Sequence, residues 1–157
     1  MTEIHPKLVF VLREIDFIGR YKQLSDNYRN EQNCFGKFET NKVLNIIQTF
    51  GNKVSYNKSE RFFKINEKQN DFEIQFNIIL KYGVCEFVWA VKYLGEFWPI
   101  GGPWGLITDF LLQEFDEETR FPLPVFSSYE ELEEILKQAF HIYEDFKHEL
   151  MLQEYGK

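Results

Sequence analysis

Cysteine is scarce in this chain: Cys34 and Cys85 are the only two in 157 residues, and they form no Cys-x-x-Cys pair. With histidine at positions 5, 141 and 148 only, the usual zinc signatures are missing. His141 and His148 are spaced to share one flank of a helix, but no third ligand is placed to complete a metal site. Both cysteines read as reduced thiols. Cys34 has no neighbouring histidine to activate it and Cys85 falls inside a predicted strand, so neither reads as a nucleophile. No apolar run approaches the ~18 residues of a membrane span. The start of the chain, with Glu3, His5, Pro6, Lys7, Arg13 and Glu14, lacks the uninterrupted apolar stretch of a secretory leader, so a cytoplasmic protein is expected. Positive charge is also short. Against 25 Asp and Glu stand 18 Lys and Arg, and no basic stripe appears, which disfavours nucleic-acid binding because phosphate contacts supply most non-specific affinity. The mild cluster Lys53, Lys58, Arg61, Lys64 and Lys68 is interspersed with Asn, Ser and Glu and reads as a solvated hairpin.

Aromatic residues, by contrast, are abundant at 18% of the chain, 17 of them phenylalanine. Large flat side chains must therefore dominate the core or an exposed patch. The length suits one globular domain, residues 1–157, able to bury a core without metals or disulfides. The charge is unevenly spread: residues 1–78 hold 12 Lys/Arg against 10 Asp/Glu, whereas residues 79–157 hold 6 against 15. A surface of one sign steers an oppositely charged partner and repels others, so this asymmetry points to a docking face for something basic.

Hydrophobic spacing gives the elements. From Pro6, a residue suited to a first helical position, Phe10, Phe17, Tyr21, Leu24 and Tyr28 recur at helical intervals, widened by Leu8, Leu12 and Ile15. One helix with a weak point at Gly19 is expected. After a polar turn from Asn27 to Gly36, Thr40 or Asn41 can cap a second helix bearing Val43, Leu44, Ile47 and Phe50, with Gly51 ending it. The period then changes to two. Arg61 to Ile65 reads as a short strand and Asn66 to Asn70 as a turn. Phe72, Ile74, Phe76, Ile78 and Leu80 alternate with polar residues as a half-buried strand. Tyr82-Gly83 is a tight return, and Phe87, Trp89, Val91 and Tyr93 form the next strand. The other face of that strand, with Val88, Ala90 and Leu94, is apolar too, which predicts cover on both sides. Gly95 to Gly105 reads as a loop, and Leu106 to Phe115 as a strand or, preferably, a short helix. Two prolines make Phe121 to Phe126 an edge strand or an extended crossing. Ser127 or Ser128 caps the last helix, with Glu130 or Glu131 completing a capping box and Leu132, Ile135, Leu136, Ala139, Tyr143, Phe146 and Leu150 on one stripe. The expected fold is α+β, an antiparallel meander of three to five strands packed against N-terminal helices and a long C-terminal helix.

The candidate site residues are the acids on either side of the proline segment. Glu114, Asp116, Glu117 and Glu118 crowd together with no cation nearer than Arg120, whereas Glu130, Glu131, Glu133 and Glu134 also complement the positive end of a helix dipole. The expected partner-binding set is Glu114, Asp116, Glu117, Glu118, Glu130, Glu131 and Glu134, with Trp98 and Trp104 either exposed as anchors or tucked beneath the sheet. Paired carboxylates such as Asp71 with Glu73, or Glu117 with Glu130, fall where solvated loops and faces are expected, so no catalytic pair is assigned. Gly101-Gly102-Pro103-Trp104-Gly105 lacks a following Lys-Ser/Thr and lies in acidic surroundings, against a phosphate cradle. No cofactor is implied.

In its Lys/Asn/Phe/Ile-rich composition the chain resembles the small, acidic bacterial immunity proteins that neutralise toxins of polymorphic or contact-dependent inhibition systems. The resemblance is carried also by Glu86-Phe87-Val88-Trp89-Ala90-Val91, by the Gly101–Gly105 loop, and by the passage from Phe121-Pro122-Leu123-Pro124-Val125-Phe126 to Ser127-Ser128-Tyr129-Glu130-Glu131-Leu132. It implies a non-enzymatic cytoplasmic inhibitor that covers the active site or substrate surface of a cognate toxin domain, often a nuclease. The residues also allow an interaction module or secretion chaperone that holds a partner segment along a sheet edge at 121–126, or a small-ligand binder with an aromatic pocket.

Overall fold

The computed structural model describes residues 3–155. Helices α1 (Pro6–Glu14), α2 (Phe17–Asn27) and α3 (Thr40–Gln48) precede strands β1 (Ser55–Asn57), β2 (Phe62–Gln69), β3 (Phe72–Lys81), β4 (Val84–Tyr93) and β5 (Glu96–Trp98), followed by α4 (Trp104–Leu112) and α5 (Tyr129–Tyr155). The strands form one antiparallel sheet in chain order, an α+β meander as the alternation predicts. Its core face is Phe63 and Ile65 of β2, alternate residues Phe72 to Leu80 of β3, and Cys85, Phe87, Trp89 and Val91 of β4, all buried. The opposite face stays half-exposed throughout β3 and β4. That corrects the expectation of cover on both sides: Val88 and Ala90 are only partly buried, and Leu94 leaves the strand altogether.

The N-terminal helix is broken where one helix was expected. Asp16 adopts a left-handed conformation, φ 53°, and separates α1 from α2. The cause lies in the apolar pattern. Ile15 and Phe17 are both buried, yet residues two apart on one helix point roughly 200° apart. Breaking the chain at an aspartate, a residue that tolerates φ > 0, lets α1 bury Leu8, Val11 and Leu12 while α2 buries Phe17, Tyr21 and Leu24. Phe10 drops out of the stripe and is exposed.

Strand β2 extends to Gln69, beyond the turn expected from Asn66, because its polar residues are accommodated individually. Glu67 lies on the core side, where its Oε1 accepts from Tyr143 Oη (2.6 Å), Lys147 Nζ (2.9 Å) and Asn52 Nδ2 (3.1 Å). This cluster ties β2 to α5. Burial alone would raise the Glu67 carboxyl, but the Tyr143 and Lys147 hydrogen bonds, the Lys147 charge and Asn52 together hold it below its ordinary value. A depressed carboxyl stabilises the fold above its unfolded value and loses that contribution as pH falls through the folded one.

Two tight returns have both central residues at positive φ: Tyr82-Gly83 and Leu94-Gly95. This is the type I′ geometry that matches strand twist. At Gly83 a side chain is excluded twice over, since φ is +77° and a Cβ would stand 2.6 Å from Cys34 Cβ and 2.9 Å from the Phe35 backbone. The last helix starts with Ser128 as its cap, as expected, but the Glu131 side chain reaches back to the residue before the cap and not to the cap's own N–H. Ser128 Oγ accepts from Glu131 N (3.1 Å), and Glu131 Oε1 accepts from Ser127 N (2.9 Å).

Acid denaturation gives a check on the Glu67 cluster. Glu67→Gln should be less stable than the parent at neutral pH by about 1–3 kcal/mol, the cost of weakening charged hydrogen bonds. The gap should close as pH falls below about 4.5, the ordinary glutamate range. Urea midpoints measured from pH 7 to pH 3 would reveal a constant gap if the cluster contributes nothing. Gly83→Ala should cost more than the roughly 1 kcal/mol of a strain-free glycine replacement, read from the same melts.

Candidate functional site

The acidic run and the glycine loop are brought to one end of the molecule by Trp104. The loop Gly101-Gly102 passes with φ of +95° at both residues, and a Cβ on Gly101 would stand 3.2 Å from Phe110 Cδ2. This close turn drops Trp104, first residue of α4, fully into the core at 0% exposure. Its ring packs against Phe87 (4.7 Å), Trp89 (4.8 Å), Phe17 (5.4 Å), Tyr21 (5.6 Å) and Phe76 (5.9 Å). Trp104 is therefore not a surface anchor; of the two alternatives for it, the buried one holds. Trp98 is intermediate. It stacks face to face on His5 at 3.9 Å and abuts Tyr93 and Phe72. His5 in turn caps α1, with Nδ1 accepting from Lys7 N (3.1 Å). Burial, then the Lys7 charge, lower the imidazole below its ordinary value, which keeps that nitrogen free to accept.

Of the helix expected over Leu106 to Phe115, α4 bears out the helical choice but runs from Trp104 to Leu112, because Gln113 turns left-handed at φ 56° and takes 113–115 out of the helix. Residues 113–120 then form an exposed loop, shaped by Asp116. Its Oδ1 accepts from Glu118 N (3.0 Å) and its carbonyl from Thr119 N (3.1 Å). Glu114, Asp116, Glu117 and Glu118 are all exposed, and among the described residues none of them enters an ion pair. In their midst Phe115 stands 51% exposed, touching Phe110 edge-on at 5.3 Å.

The loop runs between two cavities. One, of about 540 Å³, is walled by Val9 and Arg13 of α1 with Phe110, Leu111 and Phe115. The other, of about 630 Å³, is bounded by Glu117, Glu118, Arg120, Phe121, Pro122 and Leu123, with Leu106 of α4 and Glu86 of β4. Arg120 is already engaged: it pairs with Asp109, which is buried on α4. Glu86 is a site member that sequence reasoning passed over, since alternation marked it only as the polar side of β4.

The second acidic cluster serves other ends. Glu131 is consumed by the cap of α5. Glu134 lies 3.4 Å from the Tyr28 hydroxyl, which also accepts from Gln138 Nε2 at 3.1 Å. Burial and the Glu134 carboxylate push that hydroxyl up. Glu130 is exposed at the first turn of α5. No hydrogen bond or ion pair among the described residues links Glu130, Glu131 or Glu134 to the 114–118 loop. Tyr28 and Arg29 instead hold the intervening segment, with Val125 N donating to Tyr28 O (2.8 Å) and Arg29 Nη1 to Leu123 O (3.5 Å).

That segment, 121–126, is an extended crossing and not a free edge. Cys85 N donates to Pro124 O (2.9 Å), Phe126 N to Gly83 O (2.9 Å) and Phe35 N to Phe126 O (2.8 Å). From Pro124 to Phe126 its main chain is thus engaged by other segments of the protein. Between sheet and helices the described residues form a continuous cluster of buried aromatics, and the two cavities beside the loop open at the surface.

Among the described residues no group of three or more His, Cys, Asp or Glu is arranged to hold a metal ion. His141 and His148 are exposed, Cys34 is exposed, and burial pushes the Cys85 thiol up. Among the described residues no helix is long and apolar enough to cross a membrane. No family model, curated protein or solved structure matches this chain.

The contrast between the aromatics is measurable. Trp104→Ala should cost about 3–5 kcal/mol of stability, as for a buried aromatic cut to alanine. Phe115→Ala should stay within roughly 0.5 kcal/mol of the parent. Equal losses in chemical denaturation would contradict this assignment of core and surface.

Proposed function

We propose that this protein is a non-enzymatic inhibitor of the immunity type, which docks its 113–120 loop and the flanking cavities onto a basic surface of a cognate toxin domain. The carrying observation is the loop itself: four exposed carboxylates that enter no ion pair among the described residues flank the exposed Phe115 in the chain. Carboxylates kept close together repel one another, and that repulsion is relieved when a cationic surface arrives. An aromatic ring seated in the middle of such a loop supplies the desolvated anchor that charge alone does not give. A toxin that acts on nucleic acid has to present basic groups to phosphate, and an acidic loop is complementary to such a groove.

The partner in this reading is the product of the neighbouring upstream reading frame, and its C-terminal domain is the form to test. Expressed alone it should arrest growth, and co-expression of this protein should relieve the arrest. Replacing Glu114, Asp116, Glu117 and Glu118 with lysine should leave the fold intact and slow association by about tenfold or more at low salt, since steering is worth 10–10³ in rate. At high salt the gap should narrow as screening removes the steering. A harmless neighbour, or a reversed variant that associates as fast as the parent at low salt, contradicts the proposal.

A further inference from the structure

The open face of the sheet carries charge of both signs, sorted to its two sides. Lys64 and Lys68 of β2 lie on this face, since they alternate with the buried Phe63 and Ile65. Lys64 also lines a cleft of about 220 Å³ at the β1 flank, together with Lys53, Val54, Ser55 and Asn66. Among the described residues Lys53, Lys64 and Lys68 enter no ion pair. They belong to the basic hairpin that the inhibitor reading leaves without a task. On the β4 side the same face shows Glu86, which shares a cavity wall with Glu117 and Glu118. These three carboxylates likewise enter no ion pair among the described residues. Between the two flanks runs β3, whose half-exposed residues are Glu73, Gln75, Asn77 and Ile79. The register sets Asn77 between Lys64 and Val88, and Gln75 between Asn66 and Ala90.

We infer that this face packs on the same face of a second copy of the chain, about a two-fold axis running along β3. Packed sheets keep their strand directions within about 30° of each other, so this axis lays the β4 flank of one copy over the β1–β2 flank of the other. Glu117 and Glu118 of each copy then meet Lys53 and Lys64 of its mate. Three features favour a second copy over an unrelated partner. The charges are self-complementary under this rotation, each flank supplying the sign that the other lacks. Near the axis stand amides, with Gln75 Nε2 donating to Asn77 Oδ1 (3.2 Å), and a side-chain amide has both donor and acceptor, so it can bond its own image. The size also fits. The ten-residue strands β3 and β4 run about 34 Å, and five strands about 4.8 Å apart span about 19 Å, so the face is of the order of the ~800 Å² that a standard interface takes from each copy. At the far end the row Lys68–Glu73–Lys92 alternates in sign, and sheet twist carries it to the rim. The inference goes beyond the inhibitor reading and does not need it; where both hold, a second copy and a basic partner compete for Glu117 and Glu118.

Sedimentation velocity of the full chain over a concentration series tests this. The parent should show a monomer–dimer equilibrium and nothing larger, because a two-fold contact closes on itself. Its Kd should rise by roughly tenfold or more from low to high salt as the flank charges are screened. K53E/K64E and E117K/E118K should each weaken the dimer by about tenfold or more, since each change sets like charges against one another at both flanks. Mixed in equal amounts, the two variants should restore the dimer: one flank contact then keeps its native charges and the other has both reversed. The mixture also separates lost contact from lost fold, because two unfolded chains cannot rebuild a dimer. A parent that stays monomeric at every concentration, species larger than the dimer, a variant that associates as the parent does, or a mixture that stays monomeric would overturn the inference.

Discussion

The open edge of β4 is the constraint that arranges the rest of the molecule. Strand β5 pairs only with Val91 to Tyr93, so the remainder of a ten-residue strand presents main-chain donors and acceptors that need partners. Two non-strand segments supply them. Trp89 N donates to Gly102 O (2.9 Å), and Cys85 N to Pro124 O (2.9 Å); single bridges join Val88 with Pro103 and Val84 with Val125. The chain between these two seams is α4 and the acidic loop. Closing the edge thus fixes both ends of the stretch that carries the candidate site.

Aromatic packing fixes it from beneath. Trp104 begins α4 inside the ring cluster, and Asp109, one turn on, holds Arg120 at the far end of the loop. The crowded carboxylates therefore hang on a short span whose two ends are anchored, and their conformational freedom is spent on folding and not on binding. Preorganisation of this kind is where an interface gains affinity without added area. The half-exposed Phe115 and the neutralised Arg120–Asp109 pair follow from the same placement.

Much of the fold was legible because strong periodicity is a local property. The alternation of β3 and β4, the Tyr82-Gly83 return, the helical choice for Leu106 to Phe115, though not its end, and the Ser128 cap of α5 could be read from neighbours in sequence. What escaped depended on residues far away. The break at Asp16 was hidden because Ile15 and Phe17 each fit a plausible stripe, and only their joint burial forbids one helix. Strand β2 looked finished at Ile65 because Glu67, on its core side, is polar; the Tyr143, Lys147 and Asn52 groups that satisfy it arrive from other elements. Short β1 and β5 have too few residues to show a period. In the site, the 114–118 acids were evident from their crowding, but Glu86 was not, since it reads as the wet side of a strand. Trp104 could not be told from Trp98 by composition, because burial of one and not the other is decided by the left-handed Gly101-Gly102 turn.

The account stands on the claim that β4 is sealed by bonded crossings which hold the acidic loop in place. Native-state amide hydrogen exchange at Cys85, Trp89, Val125 and Phe126 tests this directly, since Cys85 and Trp89 donate across the two seams, Phe126 to Gly83 just before β4, and Val125 to Tyr28 behind the same crossing. The account predicts that all four exchange only through the same global opening as the central strand β3. Exchange at the rate of the exposed 113–120 amides would mean that the crossings are loose, and that nothing in the fold holds the loop where it has been placed.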